Sequence, residues 1–242
     1  MNLSRRKTIA FKKDLGFERI ITEWFSTRTT LFDEINVKTI NSDLNLQKQG
    51  VDLICEDEDG VEVYIDIKSI AQNSGFHTFS FELAGVFDTK QPGWLLNPDI
   101  ITDYYMITYH DINGGTGQYA YDKHKATIDN IGESDVLLIE KERVKKLITN
   151  YYKIDNLNKI VEDIRKEFIK LGKPEKVLRF GLDDNGRLCE MQKGAKIRFT
   201  ISGKLPEAPI NAVIEKSLLE KIALDCWTDG ELKDNYKQLE RV

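Results

Sequence analysis

The chain has 242 residues, 40% of them hydrophobic and 31% charged, with a formal net charge of −5. That length supports one large domain, or one domain with an appendage, around a real core; the acidic total argues against a protein that passively coats DNA, while a local basic face on an enzyme stays open. No stretch approaches the ~20 apolar residues of a membrane helix, and the N-terminal segment has charges but no apolar signal core, so the sequence predicts a cytoplasmic protein with no membrane partner.

Apolar residues at Ile9, Leu15, Ile20, Ile21, Trp24 and Phe25 predict a helix over 4–25. A strand is expected over 33–40, then a polar loop over 41–50. Val51 to Cys55 reads as a short apolar strand, Glu56 to Gly60 as a turn, and Val61 to Lys68 as a strand of alternating character; two β-rich runs around an Asp-Gly turn make a hairpin. Residues 76–86 predict a strand followed by a short helix, and 88–99, with Pro92, Gly93 and Pro98, a loop. Residues 103–110 read as a buried strand, 113–117 as a glycine turn and 136–139 as a strand. Helices with basic faces are predicted over 140–151 and 157–171. A second hairpin is expected over 176–182 and 188–191, a strand over 196–202, a break at Pro206 to Pro209, and a helix over 214–226.

The first hairpin carries the chemistry. Side chains alternate along a strand, so Val61, Val63, Ile65 and Ile67 share a core face while Glu62, Tyr64, Asp66 and Lys68 share the other. With Glu58, Asp59 and Gly60 as a three-residue loop and Gly60 in the left-handed region, Asp57 faces Val61 and Asp52 comes opposite Asp66. Opposed residues of an antiparallel pair point to one side, so Asp52, Asp66 and Lys68 would converge. A four-residue loop would turn Asp52 to the wrong face. The alternative is a solvated charged face on an ordinary hairpin.

Two carboxylates held together repel unless something positive sits between them. A hard divalent cation, Mg²⁺ or Mn²⁺, suits the role: it takes one or two carboxylates, phosphate oxygens and water, and it acidifies a bound water. Asp52, Asp66 and the backbone carbonyl of Ile67 are the expected metal ligands. Lys68 beside them would orient or deprotonate the attacking water or stabilise charge on the phosphate. That set suits phosphodiester hydrolysis.

The run Gly50-Val51-Asp52-Leu53-Ile54 followed by Tyr64-Ile65-Asp66-Ile67-Lys68 resembles the PD-(D/E)XK nuclease signature in its D-x(n)-D-x-K form, and is similar to the Mrr-like and Holliday-junction-resolvase-like branches. In many of those proteins a Phe-Glu pair opens the first helix and its glutamate approaches the metal. Phe17-Glu18 stands at the corresponding place, with Glu23 a competing candidate on the same helix. The chain departs from the pattern in lacking a proline before Asp52 and in carrying aspartate where glutamate is commoner. The resemblance implies an α/β (α+β) restriction-endonuclease-like core, a central mixed sheet flanked by helices over 1–172, with a C-terminal strand-helix extension over 173–242 packed on it. It also implies a Mg²⁺-dependent deoxyribonuclease with DNA as partner, acting in restriction, phage or plasmid DNA processing, or repair. A homodimer is expected, because cutting both strands of a duplex needs two sites. A second function class remains: a catalytically silent member that binds DNA or a protein partner.

Other features weigh less. The cysteines Cys55, Cys189 and Cys226 and the histidines His77, His110 and His124 show no ligand spacing, which argues against zinc. Gln72, Asn73 and Ser74 after Lys68 could touch phosphates, or form a plain loop. Trp94 could stack on a base but after a Pro-Gly turn is more often a core anchor. Basic clusters at Arg5 to Lys13, Lys141 to Lys146, and Lys193 to Arg198 could each contact a nucleic-acid backbone, but read individually more as solvated faces given the acids around them. The turn at 113–117 lacks the Gly-Lys-Ser/Thr ending of a phosphate loop.

Overall fold

A computed structural model describes residues 3–72, 77–87, 92–112, 126–172, 175–191, 194–203, 205, 208–228 and 231–232. In chain order the elements are α1 (Leu3–Arg28), α2 (Leu31–Glu34), β1 (Val37–Ile40), α3 (Leu44–Lys48), β2 (Leu53–Glu56), β3 (Glu62–Gln72), β4 (Thr78–Gly85), β5 (Tyr104–Ile112), a 3₁₀ turn (Ile128–Asn130) and β6 (Ile131–Glu140). They continue with α4 (Lys141–Tyr152), α5 (Leu157–Lys170), β7 (Val177–Leu182), β8 (Leu188–Glu190), β9 (Ile197–Ser202), β10 (Pro209–Glu215), α6 (Lys216–Ile222), β11 (Asp225–Thr228) and β12 (Glu231–Leu232). This is a mixed α+β protein. No helix among the described residues is long and apolar enough to cross a membrane.

Contacts divide the chain into two units that interleave along it. Unit 1 takes residues 1–76, 102–140 and 223–242, and unit 2 takes 77–101 and 141–222.

Unit 1 holds a seven-stranded mixed sheet in the order β1-β2-β3-β5-β6-β11-β12. Only β3 and β5 run parallel, from Ile65↔Tyr104 to Gln72↔Asp111; every other adjacent pair is antiparallel. One face is covered by α1, whose Phe17, Ile21, Trp24 and Phe25 join Leu53, Cys55, Ile65 and Ile67 in one buried cluster. The α1 residues recur at three- and four-residue steps, and the strand residues at twos, which is the geometry that lets a helix stripe meet a sheet face. Four buried residues of this kind on the helix contribute roughly 1.5–3 kcal/mol each.

Unit 2 holds a five-stranded sheet in the order β4-β10-β9-β7-β8, antiparallel throughout. On α5, Leu157, Ile160, Val161, Ile164 and Phe168 are buried at helical spacing. Trp94 packs on Phe79 and Phe81 with ring centroids 6.2 and 5.4 Å apart, an anchoring role. Gly93 comes so near β4 that a Cβ there would lie 2.5 Å from the Glu82 carbonyl oxygen.

Four local expectations give way to tertiary pairing or capping. The segment at 33–36 is not strand: α2 occupies Leu31–Glu34, and Asn36 at φ 53° turns the chain into β1. The polar run 41–50 contains α3, begun by the Asp43 carboxylate accepting from Asn45 N. No helix follows the strand at 78; β4 continues to Gly85 because it pairs with β10 along its length. The helix expected over 214–226 is only Lys216–Ile222, since Ile214 is taken by β10 and Cys226 by β11 pairing with β6. Apolar residues at both ends extended a helical spacing that the two sheets override. The turn at 113–117, Asn73, Ser74 and Lys193 lie outside the described residues, as do the side chains of Gln72 and the 5–13 basic segment.

Candidate active site

The hairpin turn decides the site's geometry. Asp57 N donates to Val61 O at 3.0 Å, and Gly60 stands at φ 77°, which makes Glu58, Asp59 and Gly60 the three-residue loop. The ladder then runs Glu56↔Glu62, Cys55↔Val63, Ile54↔Tyr64 and Leu53↔Ile65. One step further brings Asp52 beside Asp66. Asp52 N still donates to Ile65 O at 2.9 Å, and beyond it the side chain continues the contact with β3: Asp52 Oδ2 accepts from Ile67 N at 2.8 Å. The amide and carbonyl of one strand residue point to the same edge, so the Ile67 carbonyl also faces the space past the end of β2.

Asp66 is 2% exposed, unlike a residue on a solvated hairpin face. Lys68 Nζ lies 2.7 Å from Asp66 Oδ1, and the Asp52 carboxylate is near enough to Asp66 to raise its pKa. Burial pushes the Asp66 carboxyl up to about 8; the neighbouring Lys68 opposes the rise and Asp52 adds to it. Burial pulls the Lys68 ammonium down, but Asp66, Asp52 and Glu18 together outweigh it and hold the lysine above its ordinary value. The cluster is therefore one cation among three carboxylates, in which Asp66 keeps its proton near neutral pH.

Beside it opens a cavity of about 310 Å³, walled by Glu18, Arg19, Thr22, Glu23 and Ser26 of α1 and by Ile40, Asn41, Gln47, Asp52 and Ile67. Asp66 and Lys68 are not in this wall; Asp52 is the member of the cluster that reaches it. Glu18 is half-buried and its charge acts on Lys68, whereas Glu23 is exposed and does not figure there. Of the two glutamates, Glu18 is the one joined to the cluster.

Sequence reasoning missed the clamp that fixes Asp52. Asn41 is 8% exposed. Its backbone N donates to Asp52 O at 2.8 Å, its side chain donates to Val51 O at 2.6 Å, and its Oδ1 accepts from Asp43 N at 2.9 Å. Gln47 Nε2 holds the Asn41 carbonyl at 3.2 Å, and Thr102 Oγ1 holds the Gly50 carbonyl at 2.6 Å. The only sequence signal was the Asp43 cap beside it. A second unforeseen network runs under α1: His110 lies between Ser134 Oγ at 2.7 Å and Thr108 Oγ1 at 2.8 Å, and Thr108 donates to Ser69 at 2.9 Å. Burial lowers His110 to about 3, so it is a neutral, fully bonded core imidazole packed by Phe17, Trp24 and Phe25. The polar i, i+2 pair Thr108/His110 inside a buried strand is the trace it leaves in the sequence.

Compared with protein-family models, with curated proteins and with solved structures, the chain matches none. The chemistry of the donors therefore has to carry the reading. Among the described residues no three His, Cys, Asp or Glu side chains are gathered to hold a metal by themselves. Asp52 and Asp66 supply two carboxylates, and strand geometry turns the Ile67 carbonyl to the edge where Asp52 holds the Ile67 amide, so the candidate donors are all hard oxygens. Such a set fits Mg²⁺ or Mn²⁺, which complete their shells with water and phosphate oxygen, and does not fit a closed structural zinc site.

Proposed function

We propose that unit 1 is a metal-dependent nuclease core of the PD-(D/E)XK, restriction-endonuclease-like kind, hydrolysing phosphodiester bonds in DNA. One observation carries the reading: a buried Asp66 held against Asp52 and 2.7 Å from Lys68, at the end of β2, beside a cavity. Burying like charges together is costly, and a hydrophobic pair would fill the same place with less penalty. Strongly perturbed carboxylates beside a cleft are characteristic of functional sites.

Asp52, Asp66 and the Ile67 carbonyl would hold Mg²⁺ or Mn²⁺, which would supply an acidified water and positive charge next to the phosphate. Asp66 would serve as its carboxylate. Lys68 would then be available to orient the attacking water or to stabilise charge on the phosphate oxygens, and Glu18 would offset the lysine's charge from the α1 side. Asn41 keeps Asp52 at the end of the ladder. Both strands of a duplex are cut by two copies of the chain.

The experiment is cleavage of supercoiled plasmid, linear duplex and junction DNA with Mg²⁺ and with EDTA, for wild type, Asp66→Asn and Lys68→Ala. The reading expects Mg²⁺-dependent cutting that both substitutions abolish or strongly reduce. A second reading is a silent DNA- or protein-binding member of the same fold. The mutual pairing of Asp66 with Lys68 favours it, because a salt bridge alone can satisfy both groups. Wild type that binds DNA and cuts none of these substrates would decide for it.

A further inference from the structure

Unit 2 carries a groove of about 1000 Å³ between α5 and the β7–β8 hairpin. Five exposed cations stand along it: Lys159, Lys166 and Lys170 on α5, Arg179 on β7, and Arg187 in the hairpin turn. Three acids, Asp163, Glu167 and Glu190, share the wall, so the groove is net positive on a chain whose total is −5. Lys166 leans on Asp163 at 3.5 Å and Lys170 on Glu167 at 3.2 Å. Both are exposed pairs within one helix, worth little and readily exchanged for another anion. Lys159, Arg179 and Arg187 make no side-chain hydrogen bond or ion pair among the described residues.

The positive sign is local. Unit 1 has a cavity of about 630 Å³ walled by Glu34, Glu56, Asp57, Glu58 and Asp225, with no lysine or arginine lining it among the described residues. The spacing of the cations is also that of a track. Lys159, Lys166 and Lys170 follow one another at seven and four residues, which keeps them on one helix face. At ~1.5 Å per residue they span about 16 Å, the axial rise of about five phosphates on one strand at ~3.4 Å each. Lysines offer point charges to such a row, and arginines a planar fork that grips a phosphate by two N–H groups.

We propose that this groove receives the phosphate backbone of duplex DNA, without regard to sequence. The choice of DNA among polyanions rests on the nuclease reading of unit 1. The choice of duplex over single strand rests on charge density, which is twice as great along the axis of a duplex. Backbone contacts of this kind fix position and contribute affinity but read no bases.

The test is fluorescence anisotropy of a labelled ~30-bp duplex with the full chain, in EDTA so that nothing is cut, over a salt series between ~50 and ~200 mM. The variants are Arg179→Ala/Arg187→Ala and the triple with Lys159→Ala; the side chains are exposed, and circular dichroism checks that the fold is kept. Each lost phosphate contact should lower the slope of log affinity against log salt by about 0.9. The triple variant should therefore lose about two to three from the slope and bind at least tenfold more weakly at ~100 mM salt. Wild-type slope and affinity in the triple variant would overturn the proposal, as would a wild type that binds anionic phospholipid vesicles and not duplex, or that binds no duplex at ~50 mM salt. The two readings fail separately. A chain that loses duplex binding in the triple variant but never cuts with Mg²⁺ keeps the groove and loses the nuclease; one that cuts while the triple variant binds normally loses only the groove.

Discussion

Asparagine at position 66 keeps the shape of aspartate and removes its charge, so it isolates what the buried carboxylate costs the fold. Burial moves Asp66 from its ordinary 3.8 to about 8. A carboxyl raised in the folded state gives stability that is fully present below its unfolded pKa and is lost as the pH climbs to the folded one. Each pH unit of that interval is worth about 1.4 kcal/mol, so above pH 8 the metal-free fold carries a penalty on the order of 5 kcal/mol from this group. That penalty is already net of the attraction to Lys68, which lowers the Asp66 value, so Asp66→Asn should recover most of it. The expectation is a gain on the order of 5 kcal/mol at pH 8.5, or roughly 10–20 °C in Tm for a chain of this size. The assay is thermal melting of both proteins in EDTA at half-unit steps from pH 4 to 9. The gap should open between pH 4 and 8 and stay level above. Adding Mg²⁺ at pH 8 should then stabilise wild type and leave Asp66→Asn unmoved. A variant less stable than wild type at pH 8.5, or a gap independent of pH, would make Asp66–Lys68 an ordinary structural salt bridge.

Lys68→Ala should leave Mg²⁺ affinity in calorimetry largely intact and slow cleavage about 10²–10⁴-fold; equal rates at saturating Mg²⁺ would move the active site elsewhere. Asn41→Ala should strip hydrogen bonds from Val51 and Asp43, cost about 1–3 kcal/mol by denaturant melting, and weaken Mg²⁺ binding because Asp52 loses its anchor; unchanged metal affinity in a folded variant would show that the clamp is only structural. His110 is depressed to about 3 from a usual 6.5, so its stabilising contribution is complete above pH 6.5 and drains away as the pH falls through 3. His110→Gln should flatten that acid-side loss of stability, and an unaltered pH profile would assign the loss to other groups. Gly93→Ala should be among the most damaging small substitutions in unit 2, since its Cβ would sit 2.5 Å from Glu82 O; a normal melting temperature would mean that β4 can yield there.

What could be read from the sequence was what a short stretch fixes by itself. Gly60 selects the turn, the turn selects the register, and the register brings Asp52 next to Asp66; each step spans a few residues. The long helices α1, α4 and α5 were legible for the same reason, by spacing. What could not be read depends on distant partners. β4 is a strand to its end because β10 lies against it, more than 120 residues later in the chain. β11 leaves the expected C-terminal helix to pair with β6, and nothing in Asp225 to Thr228 announces that partner. The interleaving of the two units follows from these long-range pairings. Asn41 escaped notice because a polar residue in a polar run looks like loop; only its burial against Val51 and Asp52 gives it a role. Lys159, Arg179 and Arg187 were likewise scattered through the sequence and become one groove only when the hairpin folds beside α5.

Whether Asp52, Asp66 and the Ile67 carbonyl hold a divalent cation is decided by crystals grown or soaked with Mn²⁺ at about pH 8 and measured at the manganese absorption edge. An anomalous peak is expected at the end of β2, bonded to both carboxylates and to the Ile67 carbonyl, with Lys68 swung off Asp66. A peak elsewhere, or none while Lys68 stays on Asp66, would mean that these residues do not hold the cation.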